Sequence, residues 1–245
     1  MRPQFFVPDL DPAKPRVALP LAEAHHLARV LRLPAGAEVV VFDGRGTAFN
    51  ARVASTGRGT VMVTLGDAVA EPPGPAVSLT LVQSVLKGES MDAVVRDCTM
   101  VGVESVQPVL SDRTSVKASV LTKAVDRWRR IALASTKQCG RLRLPDIRRV
   151  MPFDGWVAGE GSAAAFVLVE PSLTAADTIT LRDLAHRPSP SSATLVVGPE
   201  GGWTQEECNR ALAAGCVPLS LGRLTLRAES VPLTAAAALL AIWET

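Results

Sequence analysis

The chain has 245 residues, 47% of them hydrophobic and 20% charged, with no tyrosine and a net charge of +2. That is enough chain for one large domain or two modest ones with real cores. The near-neutral balance excludes recognition of a polyanion by bulk charge and leaves only local clustering. Cys98, Cys139, Cys208 and Cys216 contain no C-x-x-C pair and read as reduced thiols of a cytoplasmic protein. The histidines His25, His26 and His186 do not converge with them, so no metal site is expected. The start, MRPQFFVPDL, lacks the basic and apolar regions of a signal peptide, and the most apolar window, Pro232 to Trp243, is too short to span a bilayer.

In chain order, Leu21 to Arg32 predicts a helix with Leu27, Val30 and Leu31 on one face. Val39 to Phe42, Ala48 to Val53 and Thr60 to Leu65 read as short strands. They are joined by the hairpin signals Asp43-Gly44-Arg45-Gly46 and Thr56-Gly57-Arg58-Gly59. A small β-barrel with one helix fits residues 1–72. Glu71-Pro72-Pro73-Gly74-Pro75 is a linker of turn-forming residues.

Beyond it, over residues 76–245, strands and helices alternate. Val77 to Leu86 is a strand, Ser90 to Met100 a helix ended by Gly102, and Ser105 to Leu110 a strand. Ser119 to Gln138 is a long helix with Leu121, Val125, Trp128 and Ala132 along one stripe. Ala165 to Val169, Leu195 to Val197 and Pro218 to Leu221 are short apolar strands. Repeated β-α-β with buried-type strands implies an α/β domain with a mostly parallel sheet.

Two stretches follow strands and precede helices. In Val196-Val197-Gly198-Pro199-Glu200-Gly201-Gly202-Trp203, Thr204 and Glu207 then form a T-x-x-E capping box. This is neither a P-loop nor the dinucleotide fingerprint. It is a ligand loop or a tight β-α turn; as a ligand loop, its glycines allow close backbone approach and Glu200 favours a cationic or donor ligand. In Leu219-Ser220-Leu221-Gly222-Arg223-Leu224-Thr225-Leu226-Arg227-Ala228-Glu229-Ser230, Ser230 is the expected N-cap, and Arg227 and Glu229 flank the helix start. These two loops are expected side by side on the C-terminal edge of the sheet, where open α/β sheets bind ligands. Arg113 to Arg149 holds eleven basic residues, either a phosphate-binding surface or a solvated helix face. Arg29 and Arg32 either contact RNA phosphates or cap their helix.

Taken in order, His26-Leu-Ala-Arg29-Val-Leu-Arg32, Gln83 through Lys87-Gly88-Glu89, Asp112-Arg113-Thr-Ser, Gln138-Cys139-Gly140-Arg141, GPEGG and LG-x4-R-x-E resemble one family. It is the 16S ribosomal RNA (uracil-N3)-methyltransferases (RsmE) of the SPOUT class. The family commonly has Glu before the Gln of the basic helix, where this chain has Lys137. The resemblance implies a PUA-like β-barrel over 1–72 that binds RNA. It implies a SPOUT α/β domain with a trefoil knot over 76–245, which binds S-adenosylmethionine and forms a homodimer. It places the cofactor among Val169, Glu170, Gly198, Pro199, Glu200, Gly201, Gly202, Leu219, Leu221, Gly222 and Leu226. RNA contacts are implied at Arg29, Arg32, Lys87, Arg113 and Arg141. The implied activity is methylation of N3 of a specific uridine in 16S RNA of the small ribosomal subunit. N3 must lose a proton, so Arg227 is expected to stabilise the uridine anion, Glu229 to orient Arg227 or accept the proton, and Glu200 to be the competing base. The alternatives are a SPOUT enzyme acting on ribose 2′-O or on tRNA, and an RNA-binding assembly factor without catalysis.

Overall fold

A computed structural model describes residues 2–57, 59–116, 121–159, 164–173 and 177–244. The chain divides into two compact units, residues 1–73 with 136–144, and residues 74–135 with 145–245.

In the first unit β1 (Gln4–Phe6), β2 (Arg16–Ala18), β3 (Glu38–Phe42), β4 (Ala48–Thr56) and β5 (Val61–Ala68) form one sheet in the order β1-β3-β4-β5-β2. The β1–β3 pair is parallel and the others antiparallel. Alternation drives the inner face: Ala51 and Val53 are buried while Arg52 between them is exposed. Phe5, Leu27, Val39, Val41, Val61 and Val63 make the core beneath. The first hairpin closes as expected, because the Asp43 carboxylate accepts the Arg45 and Thr47 N–H groups at 2.7 and 3.0 Å. Of the second, Arg58 lies outside the described residues, and Gly57 N donates to Thr60 O at 2.8 Å.

The expected helix from Leu21 to Arg32 is not one α-helix. Helix α1 (Leu21–His25) passes into a π-turn over His26–Val30, and Leu31 N donates to His26 O at 2.9 Å. The wider turn advances less per residue, so Leu27 is fully buried while Val30 and Leu31 are 60% and 40% exposed. Arg32, at φ 51, ends the segment. Residues 136–144 complete this unit. There Leu144 N donates to Gly44 O at 2.9 Å, and Lys137 Nζ contacts both Glu23 carboxylate oxygens at 3.0 and 2.8 Å.

The second unit runs β6 (Ser78–Ser84), α2 (Glu89–Val101), β7 (Ser105–Leu110), α3 (Leu121–Cys139), β8 (Asp146–Ile147), β9 (Met151–Pro152), α4 (Phe153–Gly159), β10 (Ala165–Leu168), β11 (Ile179–Thr180), α5 (Leu181–Ala185), β12 (Ser192–Val197), α6 (Gln205–Ala213), β13 (Val217–Ser220) and α7 (Ser230–Trp243). The final residues of α3 belong to the 136–144 segment of the first unit. Strand order is β11-β13-β10-β12-β6-β7-β8, with β9 also on β7, and every pairing is parallel. Neighbouring residues of the central strands enter opposite cores. Leu81, Leu195 and Phe166 join one core with α2, α3 and α7, while Val82, Val196 and Val167 join another with Phe153, Trp156 and Trp203. The predicted stripe Leu121, Val125, Trp128 and Ala132 is buried. The expected start of that helix at Ser119 and the cation Lys117 lie outside the described residues. The strands β1, β2, β8, β9 and β11 and the helices α4 and α5 carry no periodic run long enough to be anticipated.

The two loops expected side by side are not on adjacent strands. β10 lies between β12 and β13 in the sheet, so the end of β10 separates the two. Parallel pairing still brings all three strand ends to one edge.

Candidate active site

The ends of β10, β12 and β13 open into a cleft at one edge of the sheet, the position where open α/β sheets take ligands. Of the residues expected to hold a cofactor, Val169, Glu170, Gly198, Pro199, Glu200, Gly202, Leu221, Gly222 and Leu226 line it. Gly201 and Leu219 do not. Gly201 faces Arg113, and Leu219 is fully buried in β13, where its carbonyl accepts Val169 N at 3.1 Å. Trp203, Leu224, Thr225 and Ala228 are also part of the wall. Trp203 sits inside the quoted glycine loop, and its place just before a helix start is the one sequence signal that marked it.

The β12–α6 loop is shaped by its glycines. Gly202 lies at φ 69, and a Cβ there would collide with the Glu170 carboxylate. A Cβ on Gly198 would lie 3.2 Å from the Trp203 indole. Beneath the loop Gln83 Nε2 donates to Gly198 O at 3.3 Å. The capping box forms as read: Thr204 caps α6, and buried Glu207 accepts Thr204 N at 2.9 Å and Asp112 N at 2.8 Å. Glu200 Oε1 accepts the Lys87 backbone N–H at 2.8 Å, so this carboxylate bridges the loop to the β6–α2 connection.

In the loop after β13, Gly222 takes φ 134 and its N–H donates to Ser220 Oγ at 3.2 Å. Arg227 Nη1 and Glu229 Oε1 are 4.0 Å apart, the arginine side chain 86% exposed and the glutamate 29%. Leu226 and Ala228, on either side of Arg227, line the cleft. Ser230 is the first residue of α7 and not its N-cap. Glu229 already has helical angles, and the Arg227 carbonyl accepts Ser230 N and Val231 N at 2.8 and 3.2 Å, so the helix starts without a side-chain cap.

The residues expected at RNA divide between the two units. Arg29 and Arg32 are exposed on the first unit, Arg141 is half-buried in the same unit, and Lys87 is exposed beside Glu200. Arg113 turns its guanidinium onto the β12–α6 loop. Much of the basic run is spent on internal partners: Arg127 on Asp92, Lys137 on Glu23, Arg143 on Glu71, and Arg129 on Ile147 O. Burial pushes the Cys98, Cys208 and Cys216 thiols up, which suits packing and not reactivity. Among the described residues no group of three or more metal-ligating side chains occurs, and no helix is long and apolar enough to cross a membrane.

The cleft's chemistry is that of a site for a small cationic ligand with an apolar body. Leu221, Leu224 and Leu226 offer apolar contact, Glu170 and Glu200 negative charge, and the buried Trp203 Nε1 an unpaired donor. The family model described as an RNA methyltransferase domain matches residues 73–242, and one described as an RNA methyltransferase PUA domain matches 20–65. Ribosomal RNA small subunit methyltransferase E of Synechocystis is 33% identical over 93% of this chain and 74% of its own length. The Mycobacterium bovis protein of that name is 30% identical over 91% of this chain and 86% of its own. The crystal structure of the Neisseria gonorrhoeae protein of that name, bound to S-adenosylmethionine, superposes with a TM-score of 0.90 at 28% identity over 99% of this chain and 98% of that one. The chain is a member of the RNA methyltransferase family, with an RNA methyltransferase domain, a PUA domain and its relatives among the ribosomal RNA small subunit methyltransferases E.

Proposed function

We propose that this chain transfers the methyl group of S-adenosylmethionine to N3 of a uridine in 16S ribosomal RNA. The observation that carries the reading is the cleft itself: two positive-φ glycines, Gly202 and Gly222, two rim carboxylates and an arginine beside the opening. The residues fit the cofactor. Gly222 lines the cleft, and a Cβ there would meet no protein atom within 4 Å. The Trp203 N–H is buried without a partner, and Glu170 and Glu200 favour a sulfonium charge. When bound, S-adenosylmethionine supplies an electrophilic methyl group; the protein supplies position and electrostatics.

Uridine N3 keeps its proton at neutral pH, so the base must be made nucleophilic. Arg227 is exposed and only loosely paired with Glu229, free to reach a flipped-in base and stabilise negative charge on its carbonyl oxygens. Glu229 orients Arg227 or takes the proton. Glu200 is held by Lys87 N, which favours a loop-holding role over that of base. The same reading takes the segment through these loops as a trefoil knot, and two copies as a homodimer acting on small subunits in the cytoplasm. Exposed Leu224 and Leu233, 83% and 37% accessible, support a second copy there.

The test is methyl transfer to small subunits from a strain lacking this activity, with the product mapped on 16S RNA. Methyl label at uridine N3, lost in Arg227→Ala with cofactor binding intact, is the expected result. Label on a ribose or on tRNA would overturn the substrate, and no heat with S-adenosylmethionine in calorimetry would overturn the enzyme.

A further inference from the structure

We propose that Arg113 is a positioning residue for the glycine loop of the cofactor cleft and not a contact for RNA; this rests on the cofactor site proposed above. Arg113 Nη1 donates to two carbonyls of that loop, Gly201 O at 2.7 Å and Trp203 O at 3.3 Å. Its aliphatic stem runs under Gly201, where a Cβ would lie 3.4 Å from Arg113 Cβ and Cδ. Neither Arg113 nor Gly201 lines the cleft, whereas Gly202 between the two carbonyls does.

The grip is anchored at its base. Ser111 N donates to Thr114 Oγ1 at 3.0 Å, and the same hydroxyl lies 3.0 Å from buried Ser84 Oγ at the end of β6. Asp112 N is tied to Glu207. Residues 111–114 are therefore bolted to the sheet and to the start of α6, with Arg113 projecting onto the loop.

A trans peptide is planar, with C=O and N–H pointing opposite ways. Holding the carbonyls of Gly201 and Trp203 therefore fixes the Gly201–Gly202 and Trp203–Thr204 peptide planes, which bracket Gly202 and Trp203. That matters because a run of glycines is the part of the chain with most freedom to lose. Arg113 removes that freedom before the ligand arrives, and preorganisation of this kind appears as affinity. Glu200, bound to Lys87 N, fixes the same loop from its other end.

The test uses the full chain and three measurements: calorimetry with S-adenosylmethionine, binding to small ribosomal subunits, and amide exchange over residues 199–203. Arg113→Ala is expected to weaken the cofactor roughly tenfold, from the loss of charge-assisted hydrogen bonds. KM for the cofactor should rise with it, kcat at saturation should hold, and subunit binding should stay unchanged. Exchange at Gly202, whose N–H donates to Pro199 O at 2.9 Å, should quicken. Arg113→Lys keeps a cation with donors and should recover part of each effect; if the alanine variant does not fold, the lysine variant carries the comparison against wild type. Unchanged cofactor affinity with weakened subunit binding would overturn the proposal, as would unchanged exchange in both variants. A wild-type chain that binds no S-adenosylmethionine would sink the methyltransferase reading instead, while the exchange comparison would still report on the loop.

Discussion

At Gly202 the backbone stands at φ 69, and the place of a Cβ is taken by the Glu170 carboxylate. Gly202→Ala therefore combines a strained backbone with a displaced acid at the cleft wall. The expected outcome is loss of S-adenosylmethionine binding by roughly tenfold or more, read by calorimetry. Gly36 is the control: its φ is 87 but nothing lies within 4 Å of a Cβ. Gly36→Ala should cost about 1 kcal/mol of stability and no affinity. The glycines of GPEGG were visible as a loop in the sequence, but the reason for one of them lies in Glu170, brought alongside only by the pairing of β10 and β12. Asp43 makes a second prediction. Burial pushes its carboxyl up, but the N–H groups of Arg45 and Thr47 and the Arg45 side chain outweigh that and hold it below 3.8. A lowered carboxylate contributes stability that is present above its unfolded value and lost as pH falls through the folded one. Asp43→Asn should thus be less stable than the parent at neutral pH. Melting curves of the two should converge as pH falls through the lowered folded value, and parallel curves would discard this account of the hairpin.

Helix α6 displays what local pattern carries and what it leaves out. T-x-x-E before an apolar run is a capping signature by itself, and the box forms with Thr204 and Glu207. What the pattern lacks is the further donor on Glu207, Asp112 N at 2.8 Å, supplied by a loop distant in sequence. Thr204→Ala should cost about 1–2 kcal/mol. Glu207→Ala should cost more, about 3 kcal/mol, since it leaves two half-buried N–H groups without their acceptor and empties a buried site. Urea unfolding orders the two, and equal costs would mean that the Asp112 bond contributes nothing. Long elements such as α3 and the strand β7 were legible because their apolar spacing spans several turns or pleats. Strands of two or three residues are shorter than any period. The π-turn at His26–Val30 inserts a change of pitch that no spacing rule contains. Strand order is likewise non-local, so the seating of β10 between the two ligand loops could not be read from their chain positions.

Over the whole molecule, the linker at Glu71 to Pro75 coincides with the break between units at Pro73, yet the first unit is discontinuous: residues 136–144 return to it. No composition shift announces that return. Two ion pairs tie it there, Arg143 with Glu71 at the surface and Lys137 with Glu23 inside. Lys137 and Glu23 have side chains only 16% and 10% exposed, and Lys137 Nζ also sits 5.5 Å from the Phe5 ring centre. Glu23 Oε2 further accepts Phe6 N at 3.3 Å, so its oxygens serve both the returning segment and the strand β1. Two charges so far removed from water contribute little as a pair relative to apolar replacements, but breaking one side leaves the other uncompensated. Lys137→Met, which keeps the contact with Phe5, should therefore cost about 3 kcal/mol. Glu23→Gln should cost somewhat less, since the amide oxygen still accepts from Phe6. Combining the two removes both charges and leaves the apolar packing and that acceptor in place. The double variant should be more stable than either single one, by urea unfolding of all four proteins at one pH. Simple addition of the two single costs would show that the charges do not sense each other, and that residues 136–144 are held to the first unit by Leu142, buried at 2% exposure, the backbone bonds at Gly44 and Gly46, and the Arg143–Glu71 pair.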